Sequence, residues 1–232
     1  MSKQQMYIYD VRGIQDYIFR TNKMKEIIGA SKLVESLVID LFIETANEIK
    51  SDEQTIVTEI SPKTKLQFRF DDTNTIDAEI MYYGGGNLLV FYNDREFAER
   101  VSRKMSIKLT KATYSLHIAY AGVEIGGINT YKDDYKKLMA AMDEKKNNMP
   151  PCIPVQSFPI TLTDPLTGYS FSSRYQDKMC TYEAGEKLRK FQELVSAGEV
   201  SAEKIDEFGT EKGESRIAIV HIDGNSMGKT IK

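Results

Sequence analysis

Glu79-Ile-Met-Tyr-Tyr-Gly-Gly-Gly-Asn-Leu-Leu-Val-Phe-Tyr92 is the stretch of this sequence that decides the fold. Two runs rich in aromatic and aliphatic residues, Ile80–Tyr83 and Leu88–Tyr92, flank the sequence Gly84-Gly85-Gly86-Asn87. Glycine and asparagine tolerate positive φ angles, so the stretch predicts a tight β-hairpin between two buried central strands. Three consecutive glycines exceed the need of such a turn. They indicate either a plain glycine-rich turn or a place where a phosphate, a base or another domain approaches the backbone closely.

The residues before the hairpin show alternating strand and helix patterns. They predict, in order, a strand, a helical turn, a long helix and two further strands: Met6–Val11, Ile14–Phe19, Ser31–Lys50, Thr55–Ile60 and Lys65–Phe70. Asp10 is expected at the end of the first strand, just before a strand-to-helix turn. Ser31 follows Gly29 and Ala30 and is predicted to be the N-cap of the long helix.

The residues after the hairpin predict a helix, a strand and another helix. The first helix is expected from an N-cap at Asn93, with Glu96 at its third position, to about Lys111. Leu116, Ile118 and Tyr120 alternate as a strand, and an amphipathic helix follows from about Tyr131. Residues 6–125 therefore predict an α+β fold, a ferredoxin-like βαββαβ palm layout with helices on one face of a mainly antiparallel sheet.

The domain organisation follows from changes in composition along the chain. We predict a degenerate first palm domain over 1–128 and a helical and Pro-rich linker region over 129–214, which includes a helix over Tyr182–Ala197 and a shorter one capped by Ser201. Residues 215–232 begin with the apolar run Arg216–Asp223 and predict the first strand and helix start of a truncated second palm.

Composition bounds the class of protein. The chain has 232 residues, and 41% of them are hydrophobic, so a packed core is expected. The formal net charge is −3, so the chain as a whole lacks the excess of basic residues that is typical of nucleic-acid-binding proteins. No apolar run approaches the ~20 residues that span a membrane. Cys152 and Cys180 form no disulfide framework and, like the lone histidines, no zinc motif, so zinc is not expected. These features predict a cytoplasmic protein without membrane contact.

Metal-binding carboxylates in a palm domain belong at two neighbouring places, the end of the first strand and the central hairpin. Asp10 occupies the first place, but the hairpin offers Asn87 where a carboxylate is needed. Mg²⁺ binds anionic oxygens, usually one or two carboxylates together with substrate phosphates. This half of the protein is therefore expected to lack catalytic activity by itself. Asp223, at the end of the later apolar run, is either a metal ligand or a residue at the start of a helix.

Four segments, in this order, resemble the large subunit of type III CRISPR effector complexes. Three resemble its first palm and the fourth resembles the start of its second palm: Asp10-Val-Arg-Gly-Ile-Gln-Asp-Tyr-Ile-Phe19, Lys25-Glu-Ile-Ile-Gly-Ala-Ser31, Tyr83-Gly-Gly-Gly-Asn-Leu-Leu89 and Ile222-Asp-Gly-Asn-Ser-Met-Gly-Lys229. The family usually has a second aspartate where Asn225 stands, and the Gly-Gly-Asp-Asp hairpin of an active palm is absent from this chain.

The resemblance implies two facing palms in a longer protein, with ATP and Mg²⁺ or Mn²⁺ between them and synthesis of cyclic oligoadenylate by the second palm in antiviral defence. It implies nucleotide contacts at Ser31, Gly84, Gly85, Gly86 and Asn87, metal contacts at Asp10 and Asp223, and no catalytic residue here. The expected partners are a nucleotide, the second palm of the same chain or of a homodimer, and RNA-guided effector subunits. A non-catalytic scaffold of an RNA-binding complex, or a degenerate cyclic-dinucleotide synthase, are the alternatives.

Overall fold

The computed structural model describes residues 4–51, 55–57, 76–126, 128–150, 158 and 160–200. Two layers of helix enclose a five-stranded sheet whose strands are β1 (Gln5–Arg12), β2 (Ile56–Val57), β3 (Ala78–Gly84), β4 (Asn87–Tyr92) and β5 (His117–Glu124). The main helices are α1 (Ile14–Phe19), α2 (Met24–Ile49), α3 (Arg95–Thr113), α4 (Tyr131–Asn147) and α5 (Tyr182–Ser196), and a 3₁₀ turn covers Ile128–Thr130. A separate small hairpin consists of β6 (Ser173–Tyr175) and β7 (Lys178–Cys180).

The strand order in the large sheet is β2-β3-β4-β1-β5. β1 lies at the centre and pairs antiparallel with both β4 and β5, and β3 pairs antiparallel with β4 through the predicted hairpin. The short β2 pairs parallel with β3 at the edge. The α+β class with a mainly antiparallel sheet is confirmed, and both strands of the hairpin lie within that sheet.

Both faces of the sheet are covered by helices, which corrects the expectation of helices on one face. Alternate residues of β1 point to opposite faces: Tyr7, Tyr9 and Val11 belong to the core under α2 and α3, and Met6 belongs to the core under α4. Leu138 and Met142 of α4 supply the buried apolar contacts on the second face. The sequence placed α4 in the linker region because its amphipathic pattern does not say which surface the helix covers.

The buried hydroxyl groups of Tyr9, Tyr92 and Ser102 form one hydrogen-bonded group in the first core. Tyr9 Oη lies 2.6 Å from Tyr92 Oη and 2.8 Å from Ser102 Oγ, and burial raises the pKa of Tyr9 well above its usual value. These hydrogen bonds connect β1, β4 and α3 at the middle of the sheet. They also stabilise the fold, because a buried hydroxyl without a partner costs free energy.

The long helix begins earlier than its sequence indicates. α2 starts at Met24, so Ser31 lies exposed inside the helix and is not its N-cap. Glycine inside a helix normally costs stability, which is why Gly29 suggested a break. Here the missing side chain lets α5 pack closely, since a Cβ on Gly29 would lie 1.9 Å from the backbone oxygen of Lys187.

The other helix boundaries agree with the sequence within a few residues. α3 is capped by Asp94 instead of the predicted Asn93, because the Asp94 carboxylate accepts a 2.7 Å hydrogen bond from the Phe97 N–H. α5 is capped by Thr181, whose hydroxyl accepts from the Ala184 N–H. Both α4 and α5 pack against the 1–128 part, and the boundary at 128 stays a prediction. The strand over 65–70 and everything after 200 lie outside the described residues.

No described helix combines the length and the apolar composition that crossing a membrane requires.

Candidate functional site

The glycine hairpin makes its turn with two residues. Gly85 and Gly86 connect β3 to β4 with φ angles of 59° and 82°, the positive values that a type I′ turn requires at both central positions. The backbone oxygen of Gly86 accepts a 2.9 Å hydrogen bond from the Val11 N–H. The turn is thus held against the end of β1, as a palm layout predicts.

The two glycines of the turn differ in their surroundings. A Cβ on Gly86 would lie 2.5 Å from Cδ1 of Ile14, so α1 of the same chain already occupies the space beside this residue. A Cβ on Gly85 would have no described atom within 4 Å. The group that approaches Gly86 closely is therefore α1 of the protein itself. The backbone at Gly85, in contrast, is accessible to a ligand.

Asp10 and Asn87 lie side by side, as predicted. They are directly paired across β1 and β4, and residues paired in this way carry their side chains on the same face of the sheet. The Asp10 carboxylate forms an ion pair with Lys146 near the end of α4, with 2.8 Å between Oδ2 and Nζ. Only 16% of the Asp10 side chain is exposed. The sequence does not indicate this ion pair, because a lysine-rich helix end does not reveal which carboxylate each lysine meets.

The described residues do not fit a two-metal site. No group of three or more histidine, cysteine, aspartate or glutamate side chains among them is arranged to hold a metal ion. Asp10 has a lysine as its closest charged partner, and the turn contributes no carboxylate. Asp223, the second predicted ligand, lies outside the described residues. The metal contacts of Asp10 and Asp223 stay predictions from the resemblance.

Ser31 is the one predicted nucleotide contact whose physical argument fails. The prediction relied on the free N–H groups at the start of a helix, which attract phosphate. α2 starts at Met24, so the Ser31 N–H lies beyond the first turn of the helix. Contact between Ser31 and a nucleotide stays a prediction from the resemblance alone.

A second group of polar residues at the same end of the sheet was not identified from the sequence. Arg12 is paired with His117 across β1 and β5, two residues along from Asp10. Since side chains alternate along a strand, Arg12 lies on the same face as Asp10. This alternation was the available signal, but the first strand was predicted to end at Val11, so Arg12 was not assigned to a face of the sheet.

Comparison with known proteins gives matches among solved structures only. No protein-family model and no curated protein matches this sequence. A chain of the Csm1–Csm4 cassette in complex with pppApA is similar over 62% of this chain and 19% of that chain, with a TM-score of 0.43 and 18% identity. The cassette in complex with AMPPNP is similar over the same shares, with a TM-score of 0.43 and 17% identity.

A third solved structure is the Csm1–Csm4 subcomplex of the type III-A CRISPR-Csm interference complex, with a TM-score of 0.41 and 17% identity over 62% of this chain and 19% of that chain. These structures belong to the class of complex that the sequence motifs resemble. This chain spans about a fifth of the length of the chains that it matches.

Proposed function

We propose that this chain forms the first palm domain of a two-palm nucleotidyltransferase that resembles the large subunit of type III CRISPR effector complexes. In that protein it contributes to the binding of ATP for the synthesis of a cyclic oligonucleotide signal in antiviral defence. The second palm, supplied by the same chain or by a homodimer partner, would carry out the chemistry. RNA-guided effector subunits are the further partners that the resemblance implies.

The order of the motifs and the connections of the sheet support this proposal. Four strands follow the order β3-β4-β1-β5, with α2 between β1 and β3 and α3 between β4 and β5. This connectivity supports the proposed ferredoxin-like βαββαβ palm. The segments around Asp10, Gly29 and Gly85 that resemble the family lie on β1, on α2 and at the β3–β4 turn.

The observation that carries the proposal is the accessible backbone at Gly85. Phosphates and bases bind well to backbone that no side chain shields, and glycine permits that approach. Gly85 has open space where a side chain would be, and it lies two residues before Asn87, the cross-strand partner of Asp10. Gly85, with Gly84 and Asn87 beside it, thus forms the ligand-facing edge of the proposed site, and Gly86 holds the turn against α1.

The proposed role is binding without catalysis. Catalysis by a two-metal palm requires carboxylates that hold both ions, and the described part of this palm places one aspartate, paired with a lysine, at the predicted position. We therefore expect the chain alone to make no product from ATP with Mg²⁺ or Mn²⁺.

A non-catalytic scaffold subunit is the second candidate. The ion pair between Asp10 and Lys146 favours it, because the pair satisfies the one carboxylate of the site without any ligand. A scaffold of this kind would not bind ATP, so the two candidates differ in a measurable property.

The substitution Gly85→Asn tests the proposal. Asparagine adopts positive φ readily, and Asn-Gly is a preferred pair for a type I′ turn, so the hairpin should keep its stability. The added side chain would fill the open space. We expect ATP to bind the variant at least about five-fold more weakly than the parent chain, measured by isothermal titration calorimetry.

Gly198→Asn is the matched control. Gly198 also has a positive φ, of 74°, and open space around its Cβ position, but it follows α5. This variant should bind ATP like the parent. An unchanged dissociation constant in folded Gly85→Asn would contradict the proposed approach of a nucleotide to the turn, and absence of ATP binding to the parent chain would favour the scaffold.

A further inference from the structure

A cleft of about 380 Å³ lies where the end of β1 meets the start of β5. Three cationic side chains and one carboxylate are among its lining residues: Arg12, Arg20, Lys146 and Asp16. The loop between β1 and α1, the start of β5, the end of α4 and Tyr169 form the walls. We call it the basic cleft.

The three cations of the basic cleft differ in the polar partners that they have within the protein. Lys146 is paired with Asp10, and Arg20 lies 3.5 Å from the Glu183 carboxylate and donates to the Tyr169 hydroxyl. Arg12 is exposed, and none of the described carboxylates forms an ion pair with it. A free guanidinium group presents five N–H donors in the planar arrangement that matches phosphate oxygens.

His117 adds an unusual feature to this cleft. Its Nε2 atom is buried, and it has no hydrogen-bond partner among the described residues. Buried polar atoms normally have partners, so this unpaired ring nitrogen, on a residue that lines a polar cleft, leaves a hydrogen bond that a ligand could complete if the ring turned towards the cleft. His117 is the cross-strand neighbour of Arg12, which places a second hydrogen-bonding group beside the free guanidinium.

A smaller pocket of about 240 Å³ shares Tyr169 with the basic cleft, since this residue lines both cavities. Tyr114 and Tyr182 line this second pocket, which we call the tyrosine pocket, and their rings are packed edge to face with centroids 5.0 Å apart. Tyr114 is 48% exposed and has a φ of 58°, a conformation that a non-glycine residue rarely adopts. An exposed tyrosine held in this way offers a rigid surface on which a flat ring can stack.

We propose that the basic cleft and the tyrosine pocket form a binding site for a phosphorylated ring compound of the nucleotide class. Its phosphates would lie against Arg12 and His117, and its ring would stack on Tyr114. This site goes beyond the proposed function: it lies on the β5 side of β1, it depends on residues of α5 and of the Tyr169 loop, and it does not use the glycine turn.

Sodium tripolyphosphate, adenosine and ATP test the two halves of the site separately, each titrated into this chain by calorimetry. Arg12→Ala should weaken the binding of tripolyphosphate and of ATP at least about ten-fold, as the loss of a charge-assisted hydrogen bond predicts. Tyr114→Ala should weaken the binding of adenosine and of ATP at least about five-fold and leave tripolyphosphate binding unchanged, because stacking involves only the ring.

Arg103→Ala is the matched control, since Arg103 is an exposed arginine on α3 that lines neither cavity. It should bind all three compounds like the parent, and equal melting temperatures would show that every variant is folded. Equal tripolyphosphate affinity in Arg12→Ala and Arg103→Ala would overturn the phosphate site, and unchanged adenosine affinity in Tyr114→Ala would overturn the ring site. Tripolyphosphate binding should survive Gly85→Asn, so failure at the glycine turn and failure at the basic cleft are distinguishable.

Discussion

Two glycine-containing segments, Lys25–Ser31 and Tyr83–Leu89, both contribute to the family resemblance, but their glycines serve different purposes. At Gly29, where α2 meets α5, a Cβ would overlap the Lys187 backbone. At Gly85, in the hairpin turn, a Cβ would meet no described atom within 4 Å. A glycine in the sequence thus indicates that space is needed, but it does not say whether the protein or a ligand fills that space.

The junction of α2 and α5 is filled by the protein itself, and it encloses charged groups. Lys187 is 1% exposed, and its ammonium group lies 2.6 Å from the Glu183 carboxylate. The same group lies 4.1 Å from the centre of the Tyr17 ring and donates a hydrogen bond to the Tyr17 backbone oxygen. Burial lowers the pKa of Lys187 below its usual value, while the charge of Glu183 opposes that effect. Glu183 also accepts from Ser115 and pairs with Arg20, so its charge is shared by three donors.

Lys187→Met should have the largest effect, because it removes one partner of a buried ion pair and leaves the Glu183 carboxylate short of a cation. Such changes typically cost about 3–5 kcal/mol of stability. The free energy of unfolding from urea titration measures the loss. Lys190→Met is the control, since Lys190 lies on the same helix in a solvent-exposed pair with Glu193 and should lose less than about 1 kcal/mol.

The double variant Lys187→Met/Glu183→Gln sharpens this test. Replacing both charges removes the unpaired carboxylate, so the double variant should be more stable than Lys187→Met alone. A double variant that is less stable by the sum of both single losses would show that the two residues act independently.

Gly29→Ala should have the next largest effect. In an exposed helix this change stabilises by about 1 kcal/mol, because alanine is the better helix former. At Gly29 the new methyl group would collide with backbone, which cannot rotate away as a side chain can, and α2 and α5 would have to separate. We expect a loss of about 1–3 kcal/mol in urea titration, the usual cost of overpacking a core. A stabilised Gly29→Ala variant would show that the two helices do not pack as described.

Much of the fold was predictable because its elements are short-range patterns. β1 was predicted from a run of strand-forming residues, β5 from alternation, α3 from its cap and helical spacing, and the hairpin from glycine and asparagine between two apolar runs. The start of α2 was missed because Gly29 and Ser31 resemble a break followed by a cap, and only the position of α5 shows why glycine is needed inside that helix. Local preference was overruled by tertiary packing.

The candidate site was predictable only in part, for the same physical reason. Asp10 and Asn87 were expected to be neighbours, because a βαββαβ order places the end of β1 beside the hairpin, and the strand register agrees. The partner of Asp10 was not predictable, since Lys146 is far along the chain and is one of several lysines at the end of α4. Arg12 and His117 become neighbours only through the pairing of β1 with β5.

Ser31→Ala should have the smallest effect, and it separates the two interpretations of the Gly29-Ala30-Ser31 segment. If Ser31 were an N-cap, its loss would cost about 0.5–2 kcal/mol. Ser31 is exposed inside α2, where alanine is the better helix former. We therefore expect the free energy of unfolding to change by less than about 0.5 kcal/mol, in the direction of higher stability. Asp94→Ala provides the comparison, since Asp94 does cap α3 with a 2.7 Å hydrogen bond to the Phe97 N–H, and its loss should cost about 1 kcal/mol. Urea titration of both variants measures the two changes side by side. Equal losses at Ser31 and Asp94 would mean that the helix begins at Ser31 after all, and would restore the argument for a phosphate at that position.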